Sequence, residues 1–525
     1  MAAPSHDLGP TADAPATPAR DAFSSRRVFI LAAIGSAVGL GNIWRFPYVA
    51  YQGGGGAFMI PYLIALLCAG IPFLFFDYSL GHQFRGGPPL TFRRISKKLE
   101  WLGWWQVGIC IIIATYYAAI IAWAARYVFF SLERAWGDDP ESFFMKNFLQ
   151  IADGAGVSME FVPAVLIPLV IVWVVIIGIM AMGVEKGVGL FSAIFIPILI
   201  VTFGGLVVQS VFLPGAGTGL EAFFSPHWEA LLDYKVWMSA IGQIFFSLSV
   251  GFGIMITYSS YVDRKTDMTG SGLVVAFANS SFELAAGIGV FAALGFMATA
   301  SGVAVQEVVS SGIGLAFIAY PAIISQAPGG AFLGVLFFLS LVIAGATSMV
   351  SILEVGVSAL REKLGLSRVA GTLIVCGPVA IASCFFLGSR TGLYVLDTLD
   401  AFVNSFGILA VALVSMVMLT YAFHMLPRLR NHLNSVGSFK VGRVWTALIG
   451  GIIPLALLGL LVRDFLTQIA EPYEGYPQAF VNVFGWGMVI LLIAIAWVVA
   501  SLPWSDTADL EHRTDEAVTG PNQEA

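Results

Sequence analysis

The stretch SAVGLGNIWRFP, residues 36 to 47, lies inside the first long apolar segment of the chain, and it is poorly made for a membrane helix. Gly39 and Gly41 each weaken a helix by about 1 kcal/mol, Pro47 lacks the backbone donor a helix interior uses, Asn42 is polar and Arg45 is charged. A helix broken in mid-membrane leaves N–H and C=O groups that hydrocarbon cannot satisfy, so a break persists only where it lines a polar cavity or holds something. If the segment begins near Val28, Gly39 sits roughly 16 Å deep in a hydrocarbon layer of about 30 Å. The break is then at the midplane. Carbonyl oxygens freed by unwinding are hard donors suited to Na⁺, and the N-terminus of the resuming half-helix favours a carboxylate.

A second stretch, LSVGFGIM at 248 to 255, repeats the Val-Gly-apolar-Gly core inside the sixth apolar segment. Two glycine-interrupted spans in corresponding halves mark the binding site of secondary transporters built from inverted repeats. The other reading is packing, with Gly35 and Gly39 as a GxxxG contact face. The matched pair, with Asn42 and Arg45 beside it, favours the binding site.

Working outward, the 525 residues are 58% hydrophobic and only 11% charged, with a mean hydropathy of +0.86, which excludes a soluble globular protein. The expected fold is all-α and polytopic: twelve transmembrane helices, an inverted five-plus-five repeat, and breaks in helices 1 and 6. Repeat one covers about 20–212, repeat two about 236–424, and helices 11 and 12 about 444–503. Within this 20–503 transporter domain the first span is 24–50 and the sixth 236–262. A further run at 312–326, containing Pro321, reads as a re-entrant or extracellular hairpin. Residues 1–19 and 504–525 read as polar cytoplasmic tails, without the apolar core of a signal peptide.

Nineteen of the 26 Lys and Arg fall on the side of the termini, six on the other, with Arg45 inside the first span. The positive-inside rule then puts both termini in the cytoplasm of a cell that carries the protein in its inner, or plasma, membrane. Cys68, Cys110, Cys376 and Cys384 all lie in apolar runs, which argues against disulfides and Cys/His zinc sites. Membrane lipid and a small solute are the expected partners. Nothing points to nucleic acid, and oligomeric state is not legible.

With GSAVGLGNIWRFPY at 35–48, GGGAFMIPY at 54–62, GQIFFSLSVGFG at 242–253, SGLVVAFANSSFE at 271–283 and AGATS at 344–348, the chain resembles the neurotransmitter:sodium symporter family, and in particular its bacterial amino-acid transporters. The resemblance implies sodium-coupled symport of a neutral amino acid by alternating access, with two sodium ions. One ion would be held by Ala37, Asn42, Ser247 and Asn279 together with the substrate's carboxylate, which couples the two ligands by linkage. The second would take the Gly35, Val38 and Ala344 carbonyls and the Thr347 and Ser348 hydroxyls. On the residues alone, those two hydroxyls read as bonded back to their own helix.

The implied substrate pocket comprises Ser36, Ala37, Gly41, Ile113, Tyr117, Phe246, Ser247, Ser249, Phe252, Ser348 and Ile352. None of these is charged, so an ionic substrate side chain would be left unpaired. Tyr117 would bond the carboxylate, and Ser36 stands where a leucine-carrying member has Asn. Arg45 and Asp400 would form an outer gate with Phe252 as a lid, and Arg20 and Glu362 an inner one. Phe23 replaces the Trp usual near that inner gate. Glu283, one turn beyond Asn279 and near Tyr62 and Gln243, stands where chloride-dependent members have Ser. Its carboxylate would replace chloride, ionised while Na⁺ is bound and protonated once the ions leave. That implies chloride-independent transport with proton counter-movement. The Gly187–Pro197 spacing would let the fifth span loosen toward the second sodium site.

Rival readings are a proton-coupled carrier of the same fold using Glu283, Asp77 or Glu354, a channel, and an amino-acid sensor that transports nothing. No filter sequence supports a channel, and no signalling domain supports a sensor. No nucleotide loop or nucleophile elbow suggests an enzyme.

Overall fold

The computed structural model describes residues 21–309 and 312–506. Both expected tails, 1–19 and most of 504–525, and the proposed gate residue Arg20, lie outside the described residues. Among the described residues, ten continuous helices are long and apolar enough to cross a membrane, and the pair Arg26–Ala37 and Leu40–Gln52, bent by 53°, makes an eleventh if it is one broken span. The sixth span of the sequence count is two shorter helices, Tyr234–Ser247 and Ile254–Ser260, separated by residues 248–253. The run at 312–326 is a short apolar helix, Gly312–Gln326, and not a span.

The helices Lys97–Glu133 and Gly330–Leu364 form the centre, with 78% and 72% of their most apolar windows buried, against 28% for Pro163–Ala181, Val184–Val211 and Gln478–Ser501. This division follows from the side chains. The outer helices are apolar on every face and turn residues such as Val201 and Ile381 outward, where only lipid can cover them. The central helices carry Tyr116, Tyr117, Thr347, Ser348, Ser351 and Glu354, all buried. Small residues set the close approaches: a Cβ on Gly81 would fall 1.9 Å from the Ile256 carbonyl oxygen, so the half-helix Ile254–Ser260 rests directly on the Gly56–Phe84 span.

Both breaks have a backbone cause. The first helix ends at Ala37, Val38 turns to an extended ψ of 92°, and Gly39 caps the helix that resumes at Leu40. In the sixth span Ser249, Gly251 and Gly253 take φ of 53°, 88° and 93°. Glycine enters that left-handed region without strain. Ser249 does not, and its hydroxyl donates at 2.9 Å to the Ser36 carbonyl, tying one break to the other.

Candidate functional site

The unwound backbone is held by named side chains. Asn42 reaches back from the first turn of its helix so that its amide oxygen accepts the Gly39 N–H at 2.9 Å. Across the cavity, Asp77 accepts the Gly251 N–H at 3.0 Å and the Cys110 thiol donates to the Phe252 carbonyl at 3.2 Å. Asp77 therefore serves as a backbone partner for the second break. The sequence had suggested it only as a proton carrier.

Between the breaks lies a small cavity lined by Ser36, Ala37, Gly39, Gly41, Asn42, Ile113, Tyr117, Phe246, Ser247, Ser249, Phe252, Ser348, Ile352 and Ile408. Every residue of the pocket expected from the sequence is present. Ile408, from the tenth span, was missed because nothing in its apolar surroundings distinguishes it. The cavity holds about 20 Å³, room for little more than one water. Gly41, Tyr117 and Phe246 also line a much larger cavity of about 630 Å³. A Cβ on Gly41 would lie 2.1 Å from Phe246 Cε1, so the Phe246 ring packs directly against the Gly41 backbone, and it lines both cavities. Phe252, expected as the lid, lines only the inner cavity.

Oxygen donors gather around this cavity. Asn42 Nδ2 donates to Asn279 Oδ1 at 2.7 Å, and Asn279 Nδ2 to Ser247 Oγ at 3.1 Å, so three of the residues expected at the first sodium site form one buried chain. At the second, Ser348 Oγ donates to the Ser36 carbonyl at 3.3 Å, whereas Thr347 Oγ1 bonds its own helix at Ile343 and Ala344, at 2.9 and 3.1 Å. A Cβ on Gly35 would approach Ile196 Cδ1 to 2.9 Å and Thr347 Cβ to 3.4 Å, so the first helix also packs tightly there, as the GxxxG reading had it. These are neutral hard oxygens, the donor class that suits an alkali cation. Glu283 is fully buried, and its carboxylate accepts from the Tyr62 hydroxyl and, at 2.7 Å, from Gln243 Nε2.

The sodium:neurotransmitter symporter family model matches residues 20–139 and 135–507, nearly the whole chain. The chain belongs to this family. Among its relatives are an uncharacterized sodium-dependent transporter of Methanocaldococcus jannaschii, 39% identical over 92% of this chain and 96% of that one. A sodium- and chloride-dependent glycine transporter 2 of Xenopus laevis is 28% identical over 91% of this chain and 68% of its own, and a sodium-dependent dopamine transporter of Caenorhabditis elegans is 28% identical over 91% and 86%.

In this symporter-family chain the two expected gates differ. Arg45 and Asp400 both line the larger cavity, but no ion pair joins them: the Arg45 guanidinium lies over the Phe246 ring at 4.7 Å, and Asp400 accepts from Asn404 Nδ2 at 2.9 Å. A cavity this wide on the Arg45 side leaves the pair apart. At the other end Glu362 accepts the Gly87 N–H at 2.9 and 3.1 Å. Contacts that the sequence did not suggest surround it. Asp21 pairs with Arg361 and, at 3.6 Å, with Arg368; Arg368 in turn grips buried Glu354 bidentately at 2.7 and 2.8 Å, and the Tyr261 hydroxyl adds a bond at 2.8 Å. Glu354 is thus a fully partnered structural carboxylate, which weakens it as a proton carrier. Phe23 packs on Phe29, Tyr258 and Tyr261, filling an aromatic pocket.

One pocket atom is left over. Ser36 is buried, its carbonyl already accepts two hydroxyls, and its own hydroxyl has no partner. A buried unpaired hydroxyl is unfavourable by about 1–3 kcal/mol, and a bound ligand atom would relieve that cost. The Ser36→Ala protein should therefore keep or slightly raise its melting temperature while substrate affinity falls roughly tenfold, as for one lost hydrogen bond of about 1.5 kcal/mol. Thermal unfolding and equilibrium binding on the same preparation check both halves.

Proposed function

We propose that the protein couples the inward movement of sodium, two ions per cycle, to uptake of a neutral, apolar amino acid by alternating access, across the plasma membrane and with both termini cytoplasmic. The observation that carries this reading is the meeting of two broken spans at one small, charge-free cavity whose rim is a continuous chain of amide and hydroxyl oxygens. The half-helix that resumes at Leu40 starts where Gly39, Gly41 and Asn42 line that cavity, and a helix N-terminus suits a substrate carboxylate, while Ile113, Ile352, Phe246 and Phe252 suit an apolar side chain.

A carboxylate lying between the helix N-terminus and a sodium ion bonded to Asn42, Ser247 and Asn279 would make each ligand part of the other's site. Proton counter-movement belongs to the same proposal: Glu283 would balance the charge of that ion and take up a proton when it leaves. Glu283 is a fully buried carboxylate one helical turn from Asn279, and its bonds to Tyr62 and Gln243 fit the charge-balancing role. The domain limits of the sequence reading, two repeats followed by two further helices, are retained as part of the proposal.

The test is binding and uptake of a panel of amino acids by purified, reconstituted protein with Na⁺, K⁺ or choline as the cation. Binding of at least one neutral amino acid should require Na⁺. Equal binding in choline would remove the sodium-coupled reading, and uptake driven by a proton gradient in choline would favour the proton-coupled alternative.

A further inference from the structure

A contact on the face opposite the large cavity joins three segments far apart in the chain. His82, near the end of the Gly56–Phe84 span, approaches the Asp263 carbonyl oxygen through Nε2 at 2.9 Å and His432 Nε2 through Nδ1 at 2.9 Å. Asp263 lies in the loop directly after the half-helix Ile254–Ser260, and His432 lies on the helix Leu426–Val436. The protonation of both rings follows from chemistry. A carbonyl only accepts, so His82 Nε2 carries the hydrogen; neutral His82 then accepts at Nδ1, and His432 donates from Nε2. When both rings are neutral, these are the tautomers that make the bond.

Among the described residues, the charged groups at the pair are Arg85 after the Gly56–Phe84 span, Arg264 in the loop, Arg428 on the same helix as His432, and the Asp263 side chain beside the carbonyl that His82 meets. Arg85 donates to the Val262 carbonyl, and Arg428 lies over the Phe84 ring at 5.1 Å, so both are anchored within this junction. No carboxylate forms an ion pair with either ring among the described residues.

We propose that the His82–His432 pair is a proton-sensitive clamp: neutral, it ties the loop after the sixth span's second half to the neighbouring segments, and proton uptake releases it and eases opening on this face. The proposal rests on the alternating-access reading and on the orientation that makes this face cytoplasmic. A first proton taken up at His432 Nδ1 leaves its Nε2–H donating to His82, but it adds a cation beside three guanidinium groups. A second proton sets donor against donor and breaks the contact.

Burial first, and then His82 and the arginines 264, 428 and 85, hold His432 down at about 4. Released into water it would return toward about 6.5. A histidine whose value is lowered in the clamped state keeps the clamp intact above about pH 6.5 and weakens it as the pH falls from there toward 4. For this one ring, released protein should gain about fourfold over clamped protein at pH 6, and almost nothing at pH 7.5.

The experiment is amide hydrogen exchange of residues 254–267 in the full-length reconstituted protein at pH 7.5 and 6.0, corrected for the intrinsic pH dependence of exchange. Protection in the wild type should fall more than about fourfold at pH 6.0 and clearly less in His432→Gln, whose amide can still donate to His82 but takes up no proton. His82→Gln, measured in the same way, should also show a reduced response and serves if His432→Gln does not fold, and the double variant should be flat. Glu283→Gln should keep the wild-type response, which separates this clamp from the proposed ion site. An unchanged wild type, a wild-type response in both histidine variants, or loss of the response in Glu283→Gln would overturn the proposal.

Discussion

Glu283→Ser should lose sodium-driven uptake in a chloride-free medium and regain it when chloride is added. The argument is one of charge. The proposed first sodium site offers only neutral donors from the protein, Ala37, Asn42, Ser247 and Asn279, and an alkali cation in a low-dielectric interior needs a compensating anion. The substrate's carboxylate supplies one only while substrate is bound. Glu283 is fully buried one helical turn from Asn279, and both its oxygens act as acceptors, from Tyr62 and Gln243. Serine at this position leaves those two donors aimed at an empty, electropositive space that a chloride ion would suit.

The expected loss without chloride is roughly two orders of magnitude in sodium affinity, the scale of a strong coupling between neighbouring sites. Uptake assayed with gluconate as the only anion, then with chloride restored, reads it. Normal transport in gluconate would sink the mechanism. The same protein should also cease to move protons against sodium, which a pH-sensitive dye inside the vesicles would report.

What could be read from the sequence, and what could not, divides by the range of the interaction. The breaks were legible because glycine acts locally: the structure interrupts the first span at Val38–Gly39 and the sixth at 248–253, although Pro47, which the sequence suggested could not continue a helix, sits inside the resumed helix Leu40–Gln52. The pocket followed from the family motifs, and Glu283 from its helical spacing to Asn279. The number of continuous spans was less legible, because the six unwound residues of the sixth span keep the apolar composition of a helix while their backbone leaves it.

Contacts between distant segments carried no signal. His82 and His432 are 350 positions apart, and Asp77 and Gly251 are 174 apart, and neither residue of either pair hints at its partner. The separation of Arg45 from Asp400 was equally hidden. Whether two opposite charges across a cavity touch depends on how far the helices stand apart, and residue type says nothing of that distance. The packing of the Phe246 ring where a Gly41 side chain would be is likewise a steric fact that no motif encodes.

Asn42→Ala carries the second large expected effect, a joint fall of sodium and substrate affinity. Asn42 does two things in the structure: its oxygen accepts the Gly39 N–H, shaping the break, and its Nδ2 bonds Asn279 in the chain of donors that ends at Ser247. If one sodium ion touches both Asn42 and the substrate's carboxylate, removing a protein ligand weakens the ion, and reciprocal linkage passes the loss to the substrate by the coupling factor. A coupling of 1–3 kcal/mol gives a fall of about 5- to 150-fold in each affinity at limiting concentrations of the other ligand. The distinguishing measurement is a titration of substrate at rising sodium. Under shared coordination, saturating sodium should restore most of the substrate affinity, because the variant's ion site is weakened and not abolished. If Asn42 serves only to shape the Gly39 turn, the pocket itself is distorted, and substrate affinity should stay low however much sodium is added. A variant whose substrate affinity holds firm while sodium affinity falls would show that the ion and the carboxylate do not share a site.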